Sequence, residues 1–239
     1  MRNRWSALGV GCVALAACGG GGEQAGVVAQ SAPPPAAPPP PAASLPVAAQ
    51  PDVELRDPHV AVVHGQSVPF DGIEEGLTWP ALEKALGPHK AGDVLTIQVA
   101  RTIPVADLYR TGWAARAADV HVQTPDATGV MHAVEFRARR DSGAPVAGCH
   151  LAVFLRPDGS LRVAAPGGPR EVAGDHPADS LARSLGDEGA RCPIRYVAFG
   201  AESDAAPWGP VFDVVLAVDR AKSAGRARYV LGQPIHAGR

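Results

Sequence analysis

Apolar and polar positions follow the same order twice along the chain from about Val53 onward. In each half, leucines four residues apart after a proline predict a short helix, and the apolar run that follows, alternating or nearly so, predicts a strand. These segments are residues 82–87 and 94–99 in the first half, and residues 181–186 and 194–199 in the second. The shared order, more than any single segment, indicates an internal repeat.

Both short helices have predicted boundaries. Pro80 and Pro177 lie in or near the first turn, where a missing N–H is tolerated, and Gly87 and Gly186 offer a left-handed stop. The predicted N-caps of the two helices are Thr78 and Asp175.

The remaining elements also repeat in order. Second helices are predicted over residues 105–118 and 211–224, and closing strands over residues 120–122 and 228–231. Hairpins precede each set, over residues 60–69 and 150–163, the latter with a Pro157-Asp158-Gly159 turn. Residues 131–138 are predicted to add a strand that joins the halves.

This order predicts an α+β fold of two tandem small β-β-α-β-α-β domains with mixed sheets, over residues 53–142 and 143–239. Helices that follow strands imply right-handed crossovers between parallel neighbours. The chain before these domains differs, because residues 18–52 are rich in glycine, proline and alanine. Such a composition cannot bury a core and predicts a disordered, extended spacer, with a proline-rich ligand segment as the alternative.

The first residues predict a lipid anchor. Arg2 and Arg4 precede an uncharged apolar run over residues 7–17, which is too short to span a bilayer and ends in Leu-Ala-Ala before Cys18. We therefore predict a signal peptide over residues 1–17 and lipidation of Cys18, with ordinary signal cleavage near the same alanines as the alternative. Because Gly19 is not an aspartate, the outer membrane is favoured.

The cysteines agree with a location outside the cytoplasm. Of the four, Cys12 leaves with the predicted signal peptide and Cys18 carries lipid, which leaves Cys149 and Cys192 in an oxidising space. We predict a disulfide between them. The alternative is two separate buried thiols.

The candidate chemistry is sparse. A net charge of −2 gives no basis for nucleic-acid binding, the eight histidines do not cluster at metal-ligand spacing, and no catalytic or cofactor motif is present, so we predict no metal site and no cofactor. Trp208 and Trp113 are candidate partner or glycan contacts, although core packing at a helix start is the favoured interpretation of each. Four acidic residues are candidates for paired carboxylates, although surface charge is the favoured role: Asp175, Glu202, Asp204 and Asp213.

The second half resembles the periplasmic domain of the ExbD/TolR biopolymer-transport proteins, and the first half does so more faintly. The resemblance covers residues 150–232 and 60–124. It is carried by Pro157-Asp158-Gly159-Ser160, Leu181 with Leu185, and residues 197–202, 211–215, 221–225 and 229–231. The transmembrane helix and embedded aspartate of that family have no counterpart in this sequence, so the resemblance does not imply proton-driven energy transduction.

What the resemblance implies is binding of an envelope protein or peptidoglycan, often by dimers that pair sheet edges. The expected function is thus that of a noncatalytic, lipid-anchored, periplasm-facing envelope protein, accessory to a biopolymer-transport system, with a homo-oligomer as one arrangement. A lipid-anchored cell-envelope hydrolase with an unrecognised site is the alternative.

Overall fold

A computed structural model describes residues 46–47, 50–73, 76–90, 92–115, 119–137, 149–165, 168–172, 177–192, 194–221 and 228–231. These residues belong to one compact unit, Ala42–Arg239. The predicted signal peptide, Cys18 and most of the spacer lie outside the described residues, so the predictions about them stay predictions.

The two halves have the same series of elements, β-β-β-α-β-α-β, with one further strand between them. In the first half these are β1 Val53–Asp57, β2 Val60–Val63, β3 Gln66–Pro69, α1 Pro80–Leu86, β4 Val94–Val99, α2 Val105–Ala114 and β5 Asp119–Pro125. The joining strand is β6 Met131–Phe136. The second half has β7 Cys149–Leu155, β8 Leu161–Ala165, β9 Gly168–Val172, α3 Pro177–Arg191, β10 Ile194–Ala201, α4 Trp208–Ala221 and β11 Arg228–Leu231.

One mixed sheet contains all eleven of these strands, in the order β3-β2-β1-β4-β5-β6-β11-β10-β7-β8-β9. Strands β1, β4 and β5 are parallel neighbours in the first half, and β7, β10 and β11 are parallel neighbours in the second. The mixed α/β class was therefore predicted correctly. The halves, however, contribute to a single large sheet instead of building one small sheet each.

The core lies between one face of the sheet and the four helices of the described chain. Alternate residues of β4, namely Leu95, Ile97 and Val99, are buried, which is the pattern of a strand covered on one side. Helices α1 and α2 pack together, as do α3 and α4. The burial of these apolar residues against the helices is the main source of stability.

The predicted helix boundaries were partly correct. Gly87 ends α1 with a φ of 71°, whereas α3 runs through Gly186, where a side chain would meet only open space. Thr78 is not the N-cap of α1. The carboxylate of Asp71 accepts the N–H of Ala81 at 3.0 Å and so caps this helix from a distance. Asp175 lies outside the described residues.

The predicted disulfide is present. Cys149 at the start of β7 bonds to Cys192 after α3, with 5.8 Å between their Cα atoms. Because Ile194 of β10 pairs with Cys149, the bond fastens the beginnings of two adjacent parallel strands.

Candidate functional site

The loops that precede α2 and α4 meet each other, although they come from different halves. The backbone N–H of Val105 donates to the carbonyl of Ala206 at 2.8 Å, and the N–H of Trp208 donates to the carbonyl of Ile103 at 2.8 Å. We call these two loops the seam, which comprises residues 101–106 and 204–209. The seam thus joins the two halves at the starts of their second helices.

A second pair of hydrogen bonds extends the seam on either side. The N–H of Ala106 donates to the carbonyl of Asp204 at 3.3 Å, and the N–H of Gly209 donates to the carbonyl of Arg101 at 2.8 Å. At the centre, Pro104 and Pro207 form an antiparallel bridge, and they are 103 positions apart (207 minus 104). The same offset relates every atom pair of the seam, so the two loops make equivalent hydrogen bonds to each other.

These bonds give acceptors to backbone N–H groups at the starts of α2 and α4. The first N–H groups of an α-helix have no partner within the helix, and the N-cap of α2, Pro104, has no side chain that could serve. The missing acceptors are carbonyl groups of the other half. Each half therefore caps the second helix of the other half.

A charged pair lies across the seam. The guanidinium of Arg101 donates to both oxygens of Asp213 in α4, at 2.8 and 2.6 Å, and to the carbonyl of Pro125 at 3.1 Å. The hydrogen bond to Asp213 raises the pKa of Arg101 above its usual value. A Cβ atom at Gly209 would lie 2.9 Å from the Cβ of Arg101, so this glycine leaves room for the arginine to cross the start of α4.

Of the two tryptophans predicted as partner contacts, Trp208 is fully buried. Its indole Nε1 donates to Thr124 Oγ1 at 2.9 Å, and its ring packs against Phe136 and Phe212. A ring with no exposed surface offers nothing to a partner, so Trp208 packs in the core. Trp113, which is 49 % exposed on α2, keeps a free surface.

A buried ion pair occupies the first half. Asp107 and Arg110 in α2 are 1 % and 4 % exposed, and Arg110 Nη1 lies 2.9 Å from Asp107 Oδ1. The same carboxylate accepts the backbone N–H of His59 at 2.7 Å, and the Nδ1 atom of His59 lies 3.2 Å from it. The pair thus holds the turn between β1 and β2, in which His59 has a φ of 60°.

One aromatic ring, that of Phe70, packs against this ion pair. Arg110 lies 4.4 Å above the ring of Phe70, and its Nε donates to the carbonyl of Gly76 at 3.1 Å. Phe70 in turn meets the edge of Trp79. The cluster joins the β1–β2 turn, the loop at Gly76, the start of α1 and helix α2. A structural role therefore explains why these charged residues are buried.

Among its described residues, the second half has no such cluster. Gly159, with a φ of 82°, stands in the corresponding turn, and Pro210 and Asp213 stand at the positions 103 residues after Asp107 and Arg110. Sequence reasoning missed the cluster. A usable signal was the motif Val-x-Leu-Arg, which begins at Val53 and again 100 residues later (153 minus 53). When the two copies of this motif are aligned, His59 of the first half corresponds to the turn residue Gly159 of the second half.

Asp126 organises the turn between β5 and β6. Its carboxylate accepts the N–H groups of Thr128 and Val130, at 2.9 and 3.1 Å, and lies 2.9 Å from Nε2 of His132. The hydrogen bonds from Thr128 and His132 hold the pKa of Asp126 far below its usual range. Arg220 of α4 lies 3.7 Å from the same carboxylate, which ties α4 to this turn.

Two of the acidic residues considered as paired carboxylates lie in ion pairs. Asp213 binds Arg101, and Glu202 lies 3.4 Å from Arg156 and 3.5 Å from Arg162. Within the described part of the chain, no three His, Cys, Asp or Glu side chains are grouped so as to hold a metal ion.

No helix in the described ranges is long and apolar enough to cross a membrane. Comparisons of this chain with protein-family models, with curated proteins and with solved structures gave no match.

Proposed function

We propose that this chain is a noncatalytic envelope lipoprotein, anchored by lipid on Cys18, whose two halves are tandem ExbD/TolR-like units. In this proposal the units bind an envelope protein or peptidoglycan as an accessory to a biopolymer-transport system. The observation that carries it is the equal strand order of the halves, β3-β2-β1-β4-β5 and β9-β8-β7-β10-β11, joined through β6 and the reciprocal seam.

The strand order supports the proposal because it reproduces a paired arrangement within one chain. In each half the same parallel set lies next to a hairpin, and the halves run in opposite directions, since β5 and β6 are antiparallel while β6 and β11 are parallel. A pair of ExbD/TolR-like units related by a two-fold axis would look like this. The outer strands β3 and β9 then offer the sheet edges at which a partner segment can add.

The disulfide supports a location in the periplasm. Bonds of this kind persist in oxidising spaces such as the periplasm and are rare in the cytosol. Cys149 and Cys192 are bonded in the folded chain, which fits export under a signal peptide.

The anchor is tested by replacing Cys18 with serine and fractionating cells. The variant should appear in the soluble envelope fraction, while the matched change Cys12→Ser, inside the predicted signal peptide, should leave the protein with membranes. Retention of the Cys18→Ser variant in the membrane fraction after a high-salt wash would contradict the lipid assignment.

The binding role is tested with the full-length chain in detergent, incubated with purified peptidoglycan and, separately, with envelope extract. Co-sedimentation with peptidoglycan, or retention of one defined envelope protein, without release of soluble wall fragments is the expected result. Release of wall fragments would instead favour the hydrolase alternative. Sedimentation should show a monomer, and an obligate dimer would contradict the internal pair.

A further inference from the structure

We propose that the seam is a heterotypic pairing surface: its charges let each half pair with the opposite half and oppose pairing with a like half. This inference rests on the seam itself and not on the proposed function. Its partner is the other half of the same chain, and the surface is closed in the folded molecule.

The backbone of the seam does not discriminate between the halves. Its four hydrogen bonds run from main-chain N–H groups to main-chain carbonyls, and each has an equivalent on the other side. Two first halves or two second halves could make the same four bonds. Any selectivity must therefore come from side chains.

The side chains of the seam are not equivalent, and their charges differ in sign. Arg101 binds Asp213 across the seam. The position equivalent to Arg101 in the second half is Asp204, and the position equivalent to Asp213 in the first half is Arg110, each 103 residues away. Both members of the pair are thus reversed in charge between the halves.

The consequence for like halves follows directly. In a pair of first halves, Arg101 would face Arg110 of the other copy, an arginine that is bound to Asp107, in place of the carboxylate of Asp213. In a pair of second halves, Asp204 would face Asp213. Like charges at a contact oppose association, and such repulsion is a common way to exclude a wrong partner.

The seam matters for joining the halves because the sheet contact between them is short. Strand β11 pairs with β6 at one position, Tyr229 with Phe136, with one further bond from the N–H of Arg137 to the carbonyl of Tyr229. Trp208 adds an apolar contact, since its ring packs against Phe136 of β6 while its Nε1 donates to Thr124 of β5. The seam and this ring therefore add to the short sheet contact.

The test is a double-mutant cycle in the full-length chain, with urea unfolding followed by circular dichroism. Asp213→Arg places an arginine, the residue found at the equivalent position 110 of the first half, opposite Arg101. This variant therefore imitates a pair of first halves. Arg101→Asp imitates a pair of second halves. The double variant restores an opposite-charge pair in reversed order.

We expect each single reversal to lower the urea midpoint more than the neutral changes Arg101→Gln and Asp213→Asn do, because repulsion is added to the lost attraction. The double variant should unfold at a higher urea concentration than either single reversal. Effects that simply add in the double variant, or reversals no worse than neutral changes, would overturn the proposal. If a reversed variant fails to fold, the cycle of the neutral variants still measures the coupling between the two positions.

Discussion

The buried ion pair in the first half gives the sharpest stability prediction. Asp107 accepts hydrogen bonds from Arg110 and from the backbone N–H of His59, and neither member of the ion pair has more than 4 % of its side chain exposed. Asp107→Ala would remove the carboxylate that lies 2.9 Å from the buried guanidinium of Arg110. Breaking a buried pair in this way costs about 3–5 kcal/mol of unfolding free energy.

The magnitude depends on burial, and an exposed pair supplies the control. Arg156 and Glu171 lie 2.9 Å apart, but the side chain of Glu171 is 65 % exposed. Pairs of this kind contribute about 0–1 kcal/mol. Glu171→Ala should therefore change the stability little, although it deletes an ion pair of similar length.

Urea unfolding, monitored by tryptophan fluorescence and circular dichroism, measures both variants. Trp79 reports on this region because its ring contacts Phe70, which packs against Arg110. If Asp107→Ala does not fold, Asp107→Asn keeps the size of the side chain and should still lower the stability clearly. A cost for Asp107→Ala no larger than that for Glu171→Ala would refute the reasoning from burial.

Three further predictions concern other parts of the chain. Replacing Cys149 and Cys192 together by alanine opens a loop of 43 residues and should lower the unfolding free energy by about 4 kcal/mol; urea midpoints of the oxidised and double-alanine proteins measure it, and equal midpoints would contradict it. Gly209→Ala should lower the melting temperature because its Cβ would meet Arg101, whereas Gly186→Ala, in an open stretch of α3, should raise it by removing a helix glycine worth about 1 kcal/mol. Because hydrogen bonds lower the pKa of Asp126 in the folded state, its contribution is present above the unfolded pKa of about 3.9 and is lost as the pH falls further; Asp126→Asn should flatten the acid limb of a stability profile, and an unchanged limb would count against it.

The sequence pattern was a good guide to elements that rely on local order. The alternation in residues 94–99 matches β4 from end to end, and the stop at Gly87 matches the end of α1. Strand β9 was missed because Gly168-Pro169-Arg170-Glu171-Val172 is polar and begins with two strand breakers, and it becomes a strand through its pairing with β8. The class of fold was thus predictable, while the edge strand β9 was not.

The contacts between the halves could not be predicted in the same way. The hydrogen bonds of the seam join main-chain atoms about a hundred residues apart. Because every residue has these atoms, the pattern of side chains does not indicate such bonds. The charged pair of Arg101 and Asp213 is separated by 112 positions, and each residue alone resembles ordinary surface charge. Core packing was the favoured interpretation of Trp208 and is confirmed, but the sequence could not show its neighbours, Thr124 of β5 and Phe136 of β6.

The use of main-chain atoms at the seam has a consequence for how the two copies can change over time. A hydrogen bond from one backbone to another survives almost any substitution that keeps the loop conformation, so the copies are free to lose their likeness in sequence while they keep it in three dimensions. Val105 and Trp208 occupy equivalent places with unrelated side chains. The residues that are constrained are those that contact each other between the copies. Arg101 must pair with Asp213, and Gly209 must leave room for Arg101. Substitutions at these positions should therefore covary between the two halves and not within them.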